Sequence, residues 1–568
     1  MNPLYMLMNR KNIPGFGLLL LLCLQAIQQV VWSAGPPQAA VVTAHPLATQ
    51  AGIDILQEGG NAFDAAVAIT ATLGVVEPNG SGLGGGGFWL LYTADNDRVV
   101  MVDGRETAPA LARKNLYLDE RENVKSGASI NGPTAAGIPG IPAGLEFITD
   151  HYGTLPLSKT LAPAIRHAAE GFEVTERYRK FVGFRTELLK DTTAGEVFLK
   201  KNQVPDIDDK IVQNDLAETL TLIAKNGVKA FYRGELAVKM VDAVRKAGGI
   251  WTLKDLEDYR IQLRAPTVFN YRNIKVISAA PPSSGGIVLA QAFGILEHFN
   301  LSDYDKTTRK HLIIEAMRRA YRDRAVYLGD PDHVKIPYAK LLDHDYLEGL
   351  ALTIDPEQAT PSSVLGEVPE LVQAGTSTTH FSVIDQYGNR VAATLSINLP
   401  FGSGFMVPGT GILLNDEMDD FSIKPDYPNA YGLVGDEANA IAPGKRPLSS
   451  MSPTFLETHD RVAILGTPGG SRIISMIMLA ILDFAEGHTP ASWVSQPRYH
   501  HQYLPDEVQF EPETFNESEK NRLTQLGHVL VNKNRQYGNM QAILWDKEVN
   551  KVYVASDPRG EGTAQLLY

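Results

Sequence analysis

The stretch Thr378-Thr379-His380-Phe381-Ser382-Val383-Ile384-Asp385 constrains this chain most. Phe381, Val383 and the β-branched residues beside them favour a strand. Gln386-Tyr387-Gly388-Asn389 then supplies turn chemistry, and residues 390–398 read as the return strand. With Gly388 in the left-handed position of a three-residue loop, Asp385 pairs with Asn389. Counting back along that register sets Thr378 opposite Ser396, with Asn398 just beyond. Two hydroxyls and an amide then share the open end of one hairpin. Polar strand ends of this kind are compatible with chemistry without requiring it.

A chain of 568 residues has room for a large buried core. The net charge of −13 argues against a nucleic-acid partner, which needs a basic face. At the N-terminus Arg10 and Lys11 precede an apolar run over 17–24, followed by small residues at Ser33, Ala34 and Gly35. That order describes a secretory signal. The run is short of the about 20 apolar residues a membrane span needs. Residues 1–34 are therefore read as a signal peptide cleaved near Ser33 or Ala34, and the protein as exported, periplasmic or secreted. An uncleaved anchor is the alternative. The sole cysteine, Cys23, falls inside that segment, so the mature chain has no disulfide, thiolate ligand or cysteine nucleophile.

Residues 48–56 and 62–73 are Ala-rich helices separated by Glu58-Gly59-Gly60-Asn61, with Asn61 as N-cap and Asp64 in the first turn. The run from Gly80 to Gly87 contains G-x-G-x-x-G, but a helix precedes it and the strand 88–92 follows it. A dinucleotide site needs the reverse order, so the glycines predict close backbone packing. A strand over 99–102 leads into Asp103-Gly104-Arg105-Glu106. Further helices are expected at 156–171, 215–224 and from Ile287, and a strand at 274–279. Residues 311–328 form the clearest helix: Ile313, Met317, Ala320 and Arg324 share one stripe, and Arg318, Arg319 and Arg322 lie off it on a solvated or ion-paired face. Residues 357–377 read as an exposed linker. His500 and His501 are adjacent and point to different faces, so they chelate poorly and no metal is expected. There is no G-x-S-x-G elbow.

Four further segments complete a pattern: Gly411-Ile412-Leu413-Leu414-Asn415-Asp416-Glu417-Met418-Asp419-Asp420-Phe421, Arg446-Pro447-Leu448-Ser449-Ser450-Met451-Ser452-Pro453-Thr454, Gly466-Thr467-Pro468-Gly469-Gly470-Ser471-Arg472, and Lys424-Pro425-Asp426-Tyr427-Pro428-Asn429-Ala430-Tyr431-Gly432. With Thr378-Thr379-His380 and Asp103-Gly104-Arg105-Glu106, they resemble the signature series of the γ-glutamyltranspeptidases, a family of N-terminal-nucleophile hydrolases. The resemblance runs from about residue 40 to the C-terminus.

It implies an α+β fold, the four-layer αββα sandwich. It also implies self-cleavage between Ser377 and Thr378 into a large fragment, 35–377, and a small one, 378–568, which stay associated as one unit. Thr378 is then the nucleophile, because an N-terminal threonine carries its own base in the α-amine. By the same resemblance Ser396 supports that amine, and the backbone N–H groups of Gly469 and Gly470 receive the oxyanion. Asn398, Glu417 and Asp420 hold the substrate ammonium; Arg105, Ser449 and Ser450 hold its α-carboxylate; Tyr431 gates a lid. Ser396 stands where many relatives carry threonine, keeping the hydroxyl. Asp419 is expected to point elsewhere. The implied donor is glutathione or another γ-glutamyl compound, the acceptor is water or an amino-acid or peptide amine, and no cofactor is called for. Two alternatives remain: a glutaryl-type cephalosporin acylase of the same superfamily, and an unprocessed γ-glutamyl-binding protein.

Overall fold

A computed structural model describes residues 35–366, 378–425 and 427–568. The expected signal segment, Ser377 and Asp426 lie outside the described residues.

Thirteen of the described strands build two antiparallel sheets. They are β1 (Ala39–Thr43), β2 (Gly86–Thr93), β3 (Arg98–Gly104), β4 (Gln262–Arg264), β5 (Thr267–Tyr271), β6 (Ile274–Ser278), β7 (Thr379–Ile384), β8 (Arg390–Ser396), β9 (Thr454–Glu457), β10 (Arg461–Gly466), β11 (Gln541–Asp546), β12 (Lys551–Ser556) and β13 (Thr563–Leu567). One sheet runs β13-β1-β7-β8-β2-β3-β4 and the other β12-β11-β10-β9-β6-β5. The two pack face to face, with β7 and β8 against β10 and β11.

Strand alternation explains why both faces are apolar. Phe88 and Leu90 of β2 face the second sheet, while Trp89 and Leu91 face a helical layer. That layer is α1 (Pro46–Gln57) and α2 (Ala62–Val76), packed on β1, β7, β8 and β13. Beyond it, α3 (Glu176–Leu189) carries side chains over the mouth of the β7–β8 hairpin. On the far side α4 (Gly285–Leu296) and α6 (Ile473–Ala485) cover the second sheet, with α5 (Lys306–Tyr327) against α4. The result is the expected αββα order. Among the described residues no helix is long and apolar enough to cross a membrane.

Local expectations fared unevenly. Asn61 caps α2 in a capping box with Asp64, whose carboxylate also receives the Thr154 and Leu155 amides. The glycine run packs as expected: a Cβ on Gly84 would sit 2.0 Å from the Leu413 carbonyl oxygen, and one on Gly85 2.2 Å from that of Ser396. The helix predicted over 156–171 is instead two, Leu157–Thr160 and Ala162–Glu170, because Pro163 can open a helix but cannot sit inside one. Of the two readings of the basic face of α5, the ion-paired one holds. Arg318 and Arg319 are buried and share Glu315, at 3.0 and 2.6 Å. The segment predicted as a linker is tied down through Gly366: Ser362 is buried and donates to the Tyr503 carbonyl at 2.7 Å.

Candidate functional site

The hairpin register is the predicted one. Arg390 pairs with Ile384 and Leu395 with Thr379, so Thr378 and Ser396 continue opposite each other. The turn closes with Asp385 N–H donating to the Asn389 carbonyl at 3.1 Å and Gly388 at φ +89°. The hairpin mouth then turns sharply. The Asn398 N–H donates to Ser396 Oγ at 2.8 Å, and Asn398 itself sits at φ +72°, where asparagine is one of the few tolerated side chains. Thr379 behind the mouth donates to buried Glu77 at 2.7 Å, which fixes the strand carrying Thr378.

One cavity gathers residues from six segments: Arg105 after β3, Thr378 and Ser396 with Asn398 on the hairpin, Asp420, Tyr431, Ser449 with Ser450, and Gly470 before α6. Glu417 and Asp420 lie on a single 3-10 turn, Glu417–Asp420. Asn415 anchors that turn by donating to the Gly84 and Gly137 carbonyls and accepting from the Glu417 N–H. Arg105 is the charged centre. Its guanidinium reaches Glu417 at 2.7 Å, Asp420 at 2.6 Å and the Pro447 carbonyl at 3.1 Å. The cation expected for a ligand carboxylate thus already bridges the two acids expected for a ligand ammonium.

Charge in this centre is unbalanced. Glu106 lies 3.5 Å from Arg105, and both its oxygens, with Oε1 of Glu417, are buried without a hydrogen-bond partner among the described residues. Burial, then the nearby Glu417, pushes the Glu106 carboxyl well above the usual range. Burial lifts Glu417 to about 7, against the pull of Arg105. The site therefore holds buried acceptor capacity that a cationic group would satisfy.

Asp419 points away, accepting from Ser129 Oγ at 2.6 Å and from the Ala430 N–H at 2.8 Å. It anchors the Lys424–Gly432 segment. Asn429 of that segment donates to Asp420 at 3.0 Å, and the Tyr431 hydroxyl donates to the Asn398 carbonyl at 2.7 Å. The Tyr431 ring lies directly over Gly470. Gly469 and Gly470 take φ +152° and +60°, positions that favour glycine. A second, larger cavity meets the first at Thr378. Gly469 and Pro468 line it, with Arg177, Lys180 and Phe184 of α3 and Arg535.

Every expected site residue within the described chain is brought to this centre, with Glu417 just behind Arg105. Sequence reasoning missed Glu106, Asn415 and Arg324. Arg324 is buried on α5 and donates to Ser284 Oγ at 2.9 Å and Ser450 Oγ at 3.3 Å. The signal for it was a cation on the apolar stripe of a helix. His500 and His501 are buried; His500 bonds Ser475 and Gln502, and His501 bonds Asp506.

Comparison with known proteins agrees with this geometry. The sequence profile described as Gamma-glutamyltranspeptidase matches residues 48–567. A "Glutathione hydrolase proenzyme" of Pseudomonas sp. (strain A14) is 43% identical over 485 residues, 84% of each chain. The protein of the same description from Escherichia coli (strain K12) is 40% identical over 532 residues, 92% of this chain and 90% of that one. Among solved structures, a cephalosporin acylase from Bacillus halodurans superposes with a TM-score of 0.82 at 30% identity, covering 94% of this chain and 96% of that chain.

Proposed function

Since this chain belongs to the gamma-glutamyltranspeptidase family, we propose that it is an exported glutathione hydrolase and γ-glutamyltransferase whose nucleophile is Thr378. One observation carries the reading: Thr378 stands where a cavity suited to an α-amino acid head group meets a larger, cation-lined cavity. The smaller cavity offers a guanidinium, serine hydroxyls and the Asp420 carboxylate, with the under-satisfied carboxylates of Glu106 and Glu417 buried behind Arg105. A group bearing an ammonium and a carboxylate on one carbon complements that set. The larger, cation-lined cavity suits the leaving group of a glutathione-like donor, which ends in a carboxylate.

Maturation precedes catalysis. Thr378 Oγ attacks the Ser377 carbonyl carbon, the peptide C–N bond breaks, and the chain passes to an ester. Water cleaves that ester, leaving a carboxylate on Ser377 and a free amine on Thr378. The "proenzyme" descriptions of the relatives support this step. In turnover the amine accepts the Thr378 hydroxyl proton as Oγ bonds to the substrate δ-carbonyl carbon. The Gly469 and Gly470 amides receive the oxyanion. The amide C–N bond breaks as the proton passes to the leaving nitrogen. Water or an acceptor amine then attacks the γ-glutamyl ester and returns the Thr378 hydroxyl. Tyr431, bonded to Asn398, closes the cavity meanwhile.

The likeness to a cephalosporin acylase keeps a glutaryl substrate as the second reading. Turnover of γ-glutamyl- and glutaryl-p-nitroanilide separates the two, because only the first has the ammonium that Glu417 and Asp420 would hold. The central test is Thr378→Ala. Mass spectrometry of wild-type protein is expected to find a fragment beginning at Thr378, while the variant stays whole and releases no glutamate. A full-length, fully active wild-type chain would overturn the reading.

A further inference from the structure

A buried arginine ordinarily comes with an acid, because an unpaired charge in a dry interior is costly. Several buried arginines here follow that rule: Arg318 and Arg319 share Glu315, and Arg498 meets Asp557 at 2.5 Å. Arg324 departs from it, as do Arg185, which donates to the Gly402 carbonyl, and Arg472, which donates to Gln509, but of these three only Arg324 bonds a side chain that lines the cavity. Arg324 is 5% exposed, and no described carboxylate lies within 4 Å. Its guanidinium rests on two neutral oxygens, Ser284 Oγ and Ser450 Oγ. The structure therefore holds a cation with no described carboxylate beside it, directly behind Ser450 in the wall of the smaller cavity.

The hydroxyl hydrogens say where the other half belongs. A serine has one O–H to donate and lone pairs to accept. Ser284 spends its hydrogen on the Ser449 carbonyl at 2.8 Å, so it accepts from Arg324. Ser450 also accepts from Arg324, which leaves its own hydrogen pointing away from the guanidinium. Ser450 lines the cavity, so that hydrogen is available there. Ser449 is treated alike: its Oγ accepts from the Met451 N–H at 3.1 Å, and its carbonyl is pinned by the Ser284 N–H at 2.8 Å. Both hydroxyls thus become donors facing the cavity, backed by a positive charge.

We propose that Arg324 is a positioning residue for the α-carboxylate of the donor: it polarises Ser450 as a donor, holds the Ser449 backbone through Ser284, and supplies the charge that carboxylate neutralises. Arg105, already bridging Glu417 and Asp420, is then not the sole cation in carboxylate recognition. The inference rests on the γ-glutamyl reading of the smaller cavity and makes it more specific, assigning donor choice partly to a helix that touches no substrate.

The test uses mature, full-length-derived enzyme and three anilides. The γ-glutamyl anilide carries both charges, the glutaryl anilide lacks the amine, and the 4-aminobutanoyl anilide lacks the carboxylate. Arg324→Gln is expected to lower kcat/KM for the first two by roughly 10- to 150-fold, the range of one charge-assisted hydrogen bond, chiefly through KM. The 4-aminobutanoyl anilide should change less than about threefold on the same scale. Arg324→Lys should recover part of the loss, and Arg324→Gln with Ser450→Ala should cost less than the two single losses combined. Equal losses on all three anilides, or none, would overturn the proposal. Should Arg324→Gln fail to accumulate, the Lys variant and Ser450→Ala carry the same comparison: losses confined to carboxylate-bearing donors support it, and uniform losses refute it. Failure of the underlying γ-glutamyl reading shows separately, as wild-type enzyme indifferent to removal of the α-carboxylate.

Discussion

Replacing Gly470 with alanine tests whether closure over Thr378 depends on backbone space. The variant keeps the Gly470 N–H, so any oxyanion donor survives in kind and only geometry changes. Two costs follow. At φ +60° an alanine pays about 1–2 kcal/mol of left-handed strain. Its Cβ would also lie 2.3 Å from Tyr431 Cδ1 and 2.4 Å from Cε1. Carbon contacts settle near 3.5–4.0 Å, so the ring must retreat by about 1.2–1.7 Å. That movement breaks the 2.7 Å bond from the Tyr431 hydroxyl to the Asn398 carbonyl, worth about 0.5–1.5 kcal/mol net. Together the closed state loses about 1.5–3.5 kcal/mol, or roughly 10- to 400-fold in kcat/KM. The assay is release of p-nitroaniline from the γ-glutamyl anilide, with and without an acceptor dipeptide. Tyr431→Phe, which removes only the hydroxyl bond, should fall at about tenfold or less. If Gly470→Ala matches wild type in both rate and acceptor response, the Tyr431 contact does not govern closure and this reasoning fails.

Two other outcomes follow from the same structure. Because Glu417 is lifted to about 7 by burial, it is protonated below neutrality and ionises as pH rises. The ratio of γ-glutamyl to glutaryl turnover should therefore climb about tenfold from pH 6 to pH 8, since the Thr378 amine is common to both substrates and cancels; a flat ratio removes Glu417 from ammonium recognition. Asp64 is fully buried and accepts from the Asn61, Thr154 and Leu155 amides and the Thr154 hydroxyl. Asp64→Ala should cost about 3 kcal/mol by orphaning those donors, read as a lower denaturant midpoint, with γ-glutamyl KM unchanged in the folded fraction; an unaltered midpoint refutes the count.

Chain-local physics settled a definite part of this protein. Turn chemistry at Gly388 and strict alternation in β7 and β8 fixed the register that sets Thr378 against Ser396, since a slip by one residue would expose one buried face to the wrong layer. Asn61 and Asp64 announced the start of α2 because a cap is satisfied within four residues. The motifs also told which segments assemble the site. What they left open were pairings between distant segments. Arg105 meets Glu417 and Asp420 more than 300 positions away, and that contact leaves no periodic trace in the chain. Arg318 and Arg319 read as a solvated or ion-paired face, and charge alone could not choose between the two because it says nothing about Glu315 being enclosed with them. Arg324 looked like a flaw in an apolar stripe, and only the packing of α5 behind Ser284 and Ser450 turned that flaw into a charge aimed at the cavity. Local propensity acts over a few residues, whereas desolvation and Coulomb energy depend on which surfaces meet, and only the assembled layers decide that.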